Sequence, residues 1–220
     1  MNDFRKKMND CSAKMKDISL LRGQSNEVDA DARNRNTFFD SFNKFTSLMC
    51  SFYLTKNFPE FKISDELHNN LKYCWNSINE IFKTEKVNNP VTFRNMVNKS
   101  CEDTEKEWKD FVSSLDVEVL DMLEIFSQVC NNKREILDII NGIKSLNTWP
   151  LNENIILKYT NRKKQGEKKI SDIHFDSEIE DFLRKVKDKR ANLLDLTPTI
   201  LEWIKDNDLG KNISLGIKMF

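Results

Sequence analysis

Apolar side chains recur along this chain at helical spacing, and most of the fold is read from that recurrence. Phe4, Met8, Cys11, Met15 and Ile18 are separated by 4, 3, 4 and 3 residues, the stripe of one helix face. Phe38, Phe42, Phe45, Met49 and Phe52 repeat that spacing with heavier side chains, and Phe39, Leu48 and Tyr53 widen the stripe. This second segment is the strongest core helix in the chain. Asn57-Phe58-Pro59 ends it, because proline disfavours helix in the residue before it. Gly23 to Asn36 is polar and of mixed charge, and either links the two helices or extends the second.

Ser64 is placed to cap a third helix, with Asp65 and Glu66 in its first turn and Leu67, Leu71, Cys74/Trp75, Ile78 and Ile81/Phe82 as its stripe. Asn89-Pro90 opens the next, carrying Phe93, Met96 and Val97. A separate polar helix then holds Trp108, Phe111 and Val112 and stops near Ser113-Ser114. Asp116 is expected to cap a helix with Val117, Leu120, Leu123, Ile125/Phe126 and Val129. Beyond Asn131-Asn132, Ile136, Leu137, Ile139, Ile140, Ile143 and Leu146 read as a helix buried on a wide face.

The texture changes after Pro150. Ile155 to Tyr159 is short and β-rich, ambiguous between strand and helix. Asn161 to Lys169 reads as a lysine-rich loop containing Gly166. Asp176 is expected to cap a helix with Ile179, Phe182, Leu183 and Val186. Thr197-Pro198 opens another with Ile200, Leu201 and Ile204, and Gly210 is placed to end it as a left-handed residue. Ile213, Leu215, Ile217 and Met219 then alternate with Ser214, Gly216 and Lys218, the pattern of a strand with one buried face. Such a strand needs a partner for its backbone groups, either residues 155–159 or a sheet in another protein. The pattern therefore predicts a mainly α protein: an amphipathic N-terminal helix over 1–22, a helical bundle over 23–148, and a small C-terminal α+β element over 149–220. That last element carries a basic loop at 158–169 and ends in a β-strand.

Composition fits this reading. The chain has 220 residues with only 5 Gly and 4 Pro, too few turn residues for a sandwich or barrel. Its 15 Phe and 4 Trp supply bulk for a core. Lys+Arg and Asp+Glu are both 35, so the formal charge is zero and a wholly basic nucleic-acid-binding surface is excluded. The balance hides local imbalance. Between Lys158 and Asp172 six bases face two acids, between Met1 and Arg22 six face three, and between Glu102 and Glu124 nine acids face two bases. Met1–Arg22 lacks the continuous apolar run of a signal peptide, and no run reaches the ~20 residues of a membrane span. Five cysteines with no C-x-x-C read as free thiols in a reducing cytosol.

No catalytic motif stands out. The two histidines, His68 and His174, lack a partner at metal-ligand spacing, and no phosphate-cradling glycine loop occurs. Glu-x-Lys triplets at Glu60, Glu107 and Glu167 are what a chain rich in both residues produces by chance. No enzyme activity, cofactor, metal or small-molecule substrate is expected. The candidates for function are contact surfaces. Phe4, Met8, Cys11, Met15 and Ile18 form an amphipathic face for a partner's groove, and Ile213, Leu215 and Ile217 a strand for another chain. Arg162, Lys163, Lys164, Lys168 and Lys169 offer an alternative, a basic loop tracking a phosphate backbone. The loop would otherwise dock on an acidic protein or simply be solvated.

Near the C-terminus the run Leu193-Leu194-Asp195-Leu196-Thr197-Pro198-Thr199-Ile200-Leu201-Glu202-Trp203-Ile204, followed by the alternating segment, resembles the ends of small helical accessory subunits of bacterial anti-phage systems of the Lamassu, or ABC three-component, type. The resemblance covers about the last 40 residues together with size and texture. It implies a non-catalytic cytoplasmic subunit in a hetero-oligomer, bridging an SMC-like ATPase and an effector nuclease and restraining the latter until foreign DNA is sensed. No individual residue carries a role over from it.

Overall fold

The computed structural model describes residues 10, 28–84, 86, 87, 89–173 and 176–213. The stripe of Phe4, Met8, Cys11, Met15 and Ile18 lies outside them, as do His174, Leu215 and Ile217. The described residues form eight α-helices: α1 (Val28–Leu54), α2 (Asp65–Thr84), α3 (Pro90–Ser114), α4 (Val117–Val129), α5 (Lys133–Lys144), α6 (Glu153–Ile173), α7 (Ser177–Lys187) and α8 (Pro198–Asp206). Short 3-10 turns follow α1 and α5 and precede α8. No strand occurs among the described residues, and none of their helices is long and apolar enough to cross a membrane. The chain divides into two compact units, within the bounds Met1–Val112 plus Trp149–Asn152 and Ser113–Thr148 plus Glu153–Phe220.

In the first unit the predicted stripes become the core. Phe38, Phe42, Phe45 and Leu48 of α1 pack with Leu67, Leu71, Cys74, Ile78 and Ile81 of α2 and Phe93 and Val97 of α3. The Phe38 and Phe93 rings lie 4.7 Å apart between centroids. A second aromatic group surrounds Trp108, which receives Phe58 and Phe61 edge-on at 5.2 and 5.1 Å and lies 5.9 Å from Trp149. Edge-to-face pairs of this kind add about 0.5–1.5 kcal/mol to the burial itself. Residues 149–152 are tied in by Ser51 Oγ, which donates to the Leu151 carbonyl at 3.1 Å. Ser64 caps α2 as its sequence suggests: its Oγ accepts from Leu67 N–H at 3.2 Å, while Glu107 accepts from both the Ser64 amide and hydroxyl. The two helices expected between Asn89 and Ser114 are one 25-residue helix. Nothing between Val97 and Trp108 breaks a helix, and buried Ser100 and Thr104 keep the inner face continuous. Asn89 adopts φ 49° at its start.

The second unit departs further from expectation. Residues 155–159 and the expected loop 158–169 are both part of α6, a single 21-residue helix. Its inner face is Ile155, Tyr159, Arg162, Gly166 and Ile170, spaced at 4, 3, 4 and 4. Two of those five places hold residues that do not read as apolar. Gly166 is buried, and a Cβ there would come within 2.9 Å of Leu123 Cδ1 and 3.3 Å of Ile139 Cγ2. On α5, a Cβ at Gly142 would meet Arg162 Cγ at 2.2 Å. Both glycines are thus contact points that let α4, α5 and α6 approach closely, rather than turn residues.

Against α4 the unit adds α7 and α8, burying Ile125, Val129, Ile179, Phe182, Leu183, Ile200, Trp203 and Leu209. Asp176 and Thr197 cap these two helices as predicted, accepting from Ile179 N–H at 2.9 Å and Ile200 N–H at 3.4 Å. The stop of α8 lies two residues earlier than expected. Asp208, at φ 51°, is the left-handed residue, and Leu209 N–H reaches back to the Ile204 carbonyl at 2.9 Å. Gly210 has no positive φ. The earlier stop turns Leu209 into the core.

Charge is compensated locally across these helices. Asp121 accepts from Lys187 at 2.8 Å and from Arg184, and Glu124 accepts from Lys144 at 2.8 Å. Lys187 holds the Asp121 carboxyl below its ordinary range, aided by Arg184. Lys144 does the same for Glu124, with Lys187 contributing. The acidic end of the 102–124 stretch is therefore an ion-paired surface.

Two outcomes follow for stability. Gly142→Ala gains about 1 kcal/mol of helix propensity but forces Arg162 aside, at about 1–3 kcal/mol for overpacking. A lower urea midpoint is expected, and a higher one would contradict the close approach of α5 and α6. Carboxyls held low in the folded state favour folding above their unfolded pKa values of about 4. That stabilisation is lost as pH falls from there through the lower folded values. Urea titrations at pH 5 and pH 3 should show a smaller acid-induced loss in Asp121→Asn than in the parent chain.

Candidate functional site

The most exposed apolar group in the described chain sits on the connection between α7 and α8. The α7 helix ends at Lys187, and Lys189 at φ 57° turns the chain so that the Arg190 and Ala191 amides donate to the Lys185 carbonyl at 2.8 and 3.1 Å. A capping box then closes the 3-10 turn Leu193–Asp195: Asn192 Oδ1 accepts from Leu194 N–H, and Asp195 Oδ2 accepts from Asn192 N–H, both at 2.9 Å. The other Asp195 oxygen accepts from Lys185 Nζ at 2.5 Å. Those contacts, chiefly the lysine, hold the Asp195 carboxyl below its ordinary range. The turn is fixed from both sides, yet its leucines face outward. Leu193 is 60% exposed, Leu194 92% and, on the first turn of α8, Leu201 50%. Leu196 and Ile213 instead pack against the unit's core.

The five bases read as a nucleic-acid loop lie on α6 and divide into two groups. Arg162 pairs with Asp138 at 3.2 Å, Lys163 with Asp116 at 2.5 Å and Lys169 with Glu135 at 3.0 Å. Lys164 and Lys168 make no ion pair among the described residues and point outward on the same ridge as Leu157, which is 61% exposed. On that exposed face Lys158, Lys164 and Lys168 are matched in number by Glu153, Glu167 and Asp172. Much of the local excess of base seen along the sequence therefore lies at the flanks of the helix contact, where Asp138, Asp116 and Glu135 neutralise it.

Asp116 is the least expected member of this arrangement. Its side chain is only 6% exposed and caps nothing. It stands at φ 56° and accepts from Tyr159 OH at 2.6 Å and from Lys163 Nζ. Burial, then the Asp116 hydrogen bond, pushes the Tyr159 hydroxyl above its ordinary pKa, so it remains a proton donor to the carboxylate. This part-buried triad joins the entry of α4 to the middle of α6. Its two ends are separated by 43 residues, so no local pattern announces it.

The remaining chemistry-bearing groups are dispersed. His68 is exposed on α2. Cys74 and Cys130 are buried, Cys50 and Cys101 half-buried, and all four are free thiols. Burial pushes Cys74 up to about 11 and raises Cys101 and Cys130 as well, the reverse of nucleophile activation. A cavity of about 260 Å³ in the first unit is lined by Lys44, Ser47, Cys101, Glu102, Glu105 and Trp149. Its ionic groups are partly engaged already, Lys44 with Asn98 at 2.8 Å and Glu105 with Lys109 at 2.6 Å. No cluster of metal-ligating side chains occurs among the described residues. Of the Glu-x-Lys triplets, Glu107 is occupied at the Ser64 cap and Glu167 lies 4.0 Å from Lys163.

Asp116→Ala removes the carboxylate that accepts from both Tyr159 OH and Lys163 and places alanine at a left-handed φ. A loss of about 2–4 kcal/mol is expected in urea denaturation. Asp116→Asn tolerates the backbone and retains an acceptor for Tyr159, so it should lose less. Equal losses in the two variants would contradict the role given to this carboxylate.

Compared with known proteins, the chain matches no family model, no curated protein and no solved structure.

Proposed function

We propose that the chain is a non-catalytic accessory subunit that docks on larger protein partners and regulates them. The resemblance of its C-terminal run suggests an SMC-like ATPase and an effector nuclease of a bacterial anti-phage complex as those partners. The observation that carries the docking reading is the Leu193–Leu194 turn with Leu201. Two mostly exposed leucines on a turn held by a capping box and a 2.5 Å ion pair cost little further ordering on binding. Aliphatic anchors of this kind insert into a partner's pocket, each burial contributing about 1.5–3 kcal/mol. The amphipathic face of Phe4, Met8, Cys11, Met15 and Ile18 and the segment of Leu215 and Ile217 are further contact segments in this reading, whereas Ile213, expected to belong to the same strand, packs against the core of the second unit. The nucleic-acid alternative has less support, because Arg162, Lys163 and Lys169 are already ion-paired and acids match the bases on the outer face of α6.

Co-expression with the products of neighbouring genes tests the proposal. The chain is expected to purify in fixed stoichiometry with at least one of them. Leu193→Asp with Leu194→Asp should weaken that complex at least about 10-fold while leaving the circular dichroism and melting temperature of the free chain unchanged. Met8→Asp with Met15→Asp tests the N-terminal segment in the same way. A chain that purifies alone with every neighbour, or a complex that both double variants leave intact, would overturn the reading. For the alternative, Lys164→Glu with Lys168→Glu should abolish any salt-sensitive binding to a DNA duplex, and binding that persists unchanged would remove α6 as its site.

A further inference from the structure

We draw no further inference here: the strongest candidate, the exposed leucine turn at Leu193–Leu194 with Leu201 on α8 of the second unit, belongs to the docking surface already proposed, and nothing in the structure shows what covers it.

Discussion

The described helices must bury their apolar stripes against neighbours, and most other features follow from how that is achieved. In the first unit, aromatic bulk does the work. Phe38, Phe42 and Phe45 meet Phe93 and the aliphatic face of α2, and Trp108 gathers a second ring cluster. In the second unit, an apolar cluster joins α4, α7 and α8, and close approach serves the contact of α4, α5 and α6. The α6 helix has Arg162 and Gly166 among the five places of its inner face, and it packs by bringing its backbone near α4 and α5 at Gly166 and beside Gly142. Polar groups caught at that contact must then be satisfied within the fold. The hydrogen bonds from Tyr159 and Lys163 to Asp116 and the pairing of Arg162 with Asp138 meet that need.

The same constraint decides what remains for function. Bases that look like an electrostatic surface along the sequence lie at the flanks of a helix contact, where acids at the entry of α4 and on α5 reach them. Apart from the part-buried Lys163–Asp116 pair, these are surface ion pairs that contribute about 0–1 kcal/mol each to stability, but they balance the charge that a phosphate backbone would otherwise find. Leucines show the opposite behaviour. Leu196 and Leu209 turn into the core of the second unit, whereas Leu193 and Leu194 are held out by backbone and side-chain hydrogen bonds. The result is a hydrogen-bonded turn with two exposed leucines at its tip.

The sequence made most helices legible because their stripes are written in Phe, Leu and Ile at 4-and-3 spacing, and the caps at Ser64, Asp176 and Thr197 followed from local chemistry. It concealed α6 because Arg162 and Gly166 occupy core places and because paired isoleucines at 155 and 156 favour either state. It concealed the stop of α8 because Asp208, a residue of modest left-handed tolerance, stands where Gly210 is the more obvious candidate. Of the candidate surface, the leucines are visible in the sequence but their exposure is not. Leu196 packs against the core while Leu194, two positions earlier, is exposed, in a turn closed by the capping box and the Lys185 pair. The Asp116 triad was invisible for a different reason, being a contact between segments far apart in the chain.

Amide hydrogen exchange, compared between the free chain and its co-purified complex, tests the account most directly. Docking through the leucine turn predicts slower exchange on complex formation across residues 192–201, with α2 and α5 unchanged. Identical exchange at 192–201 in the two states, in a complex shown to be intact, would contradict it.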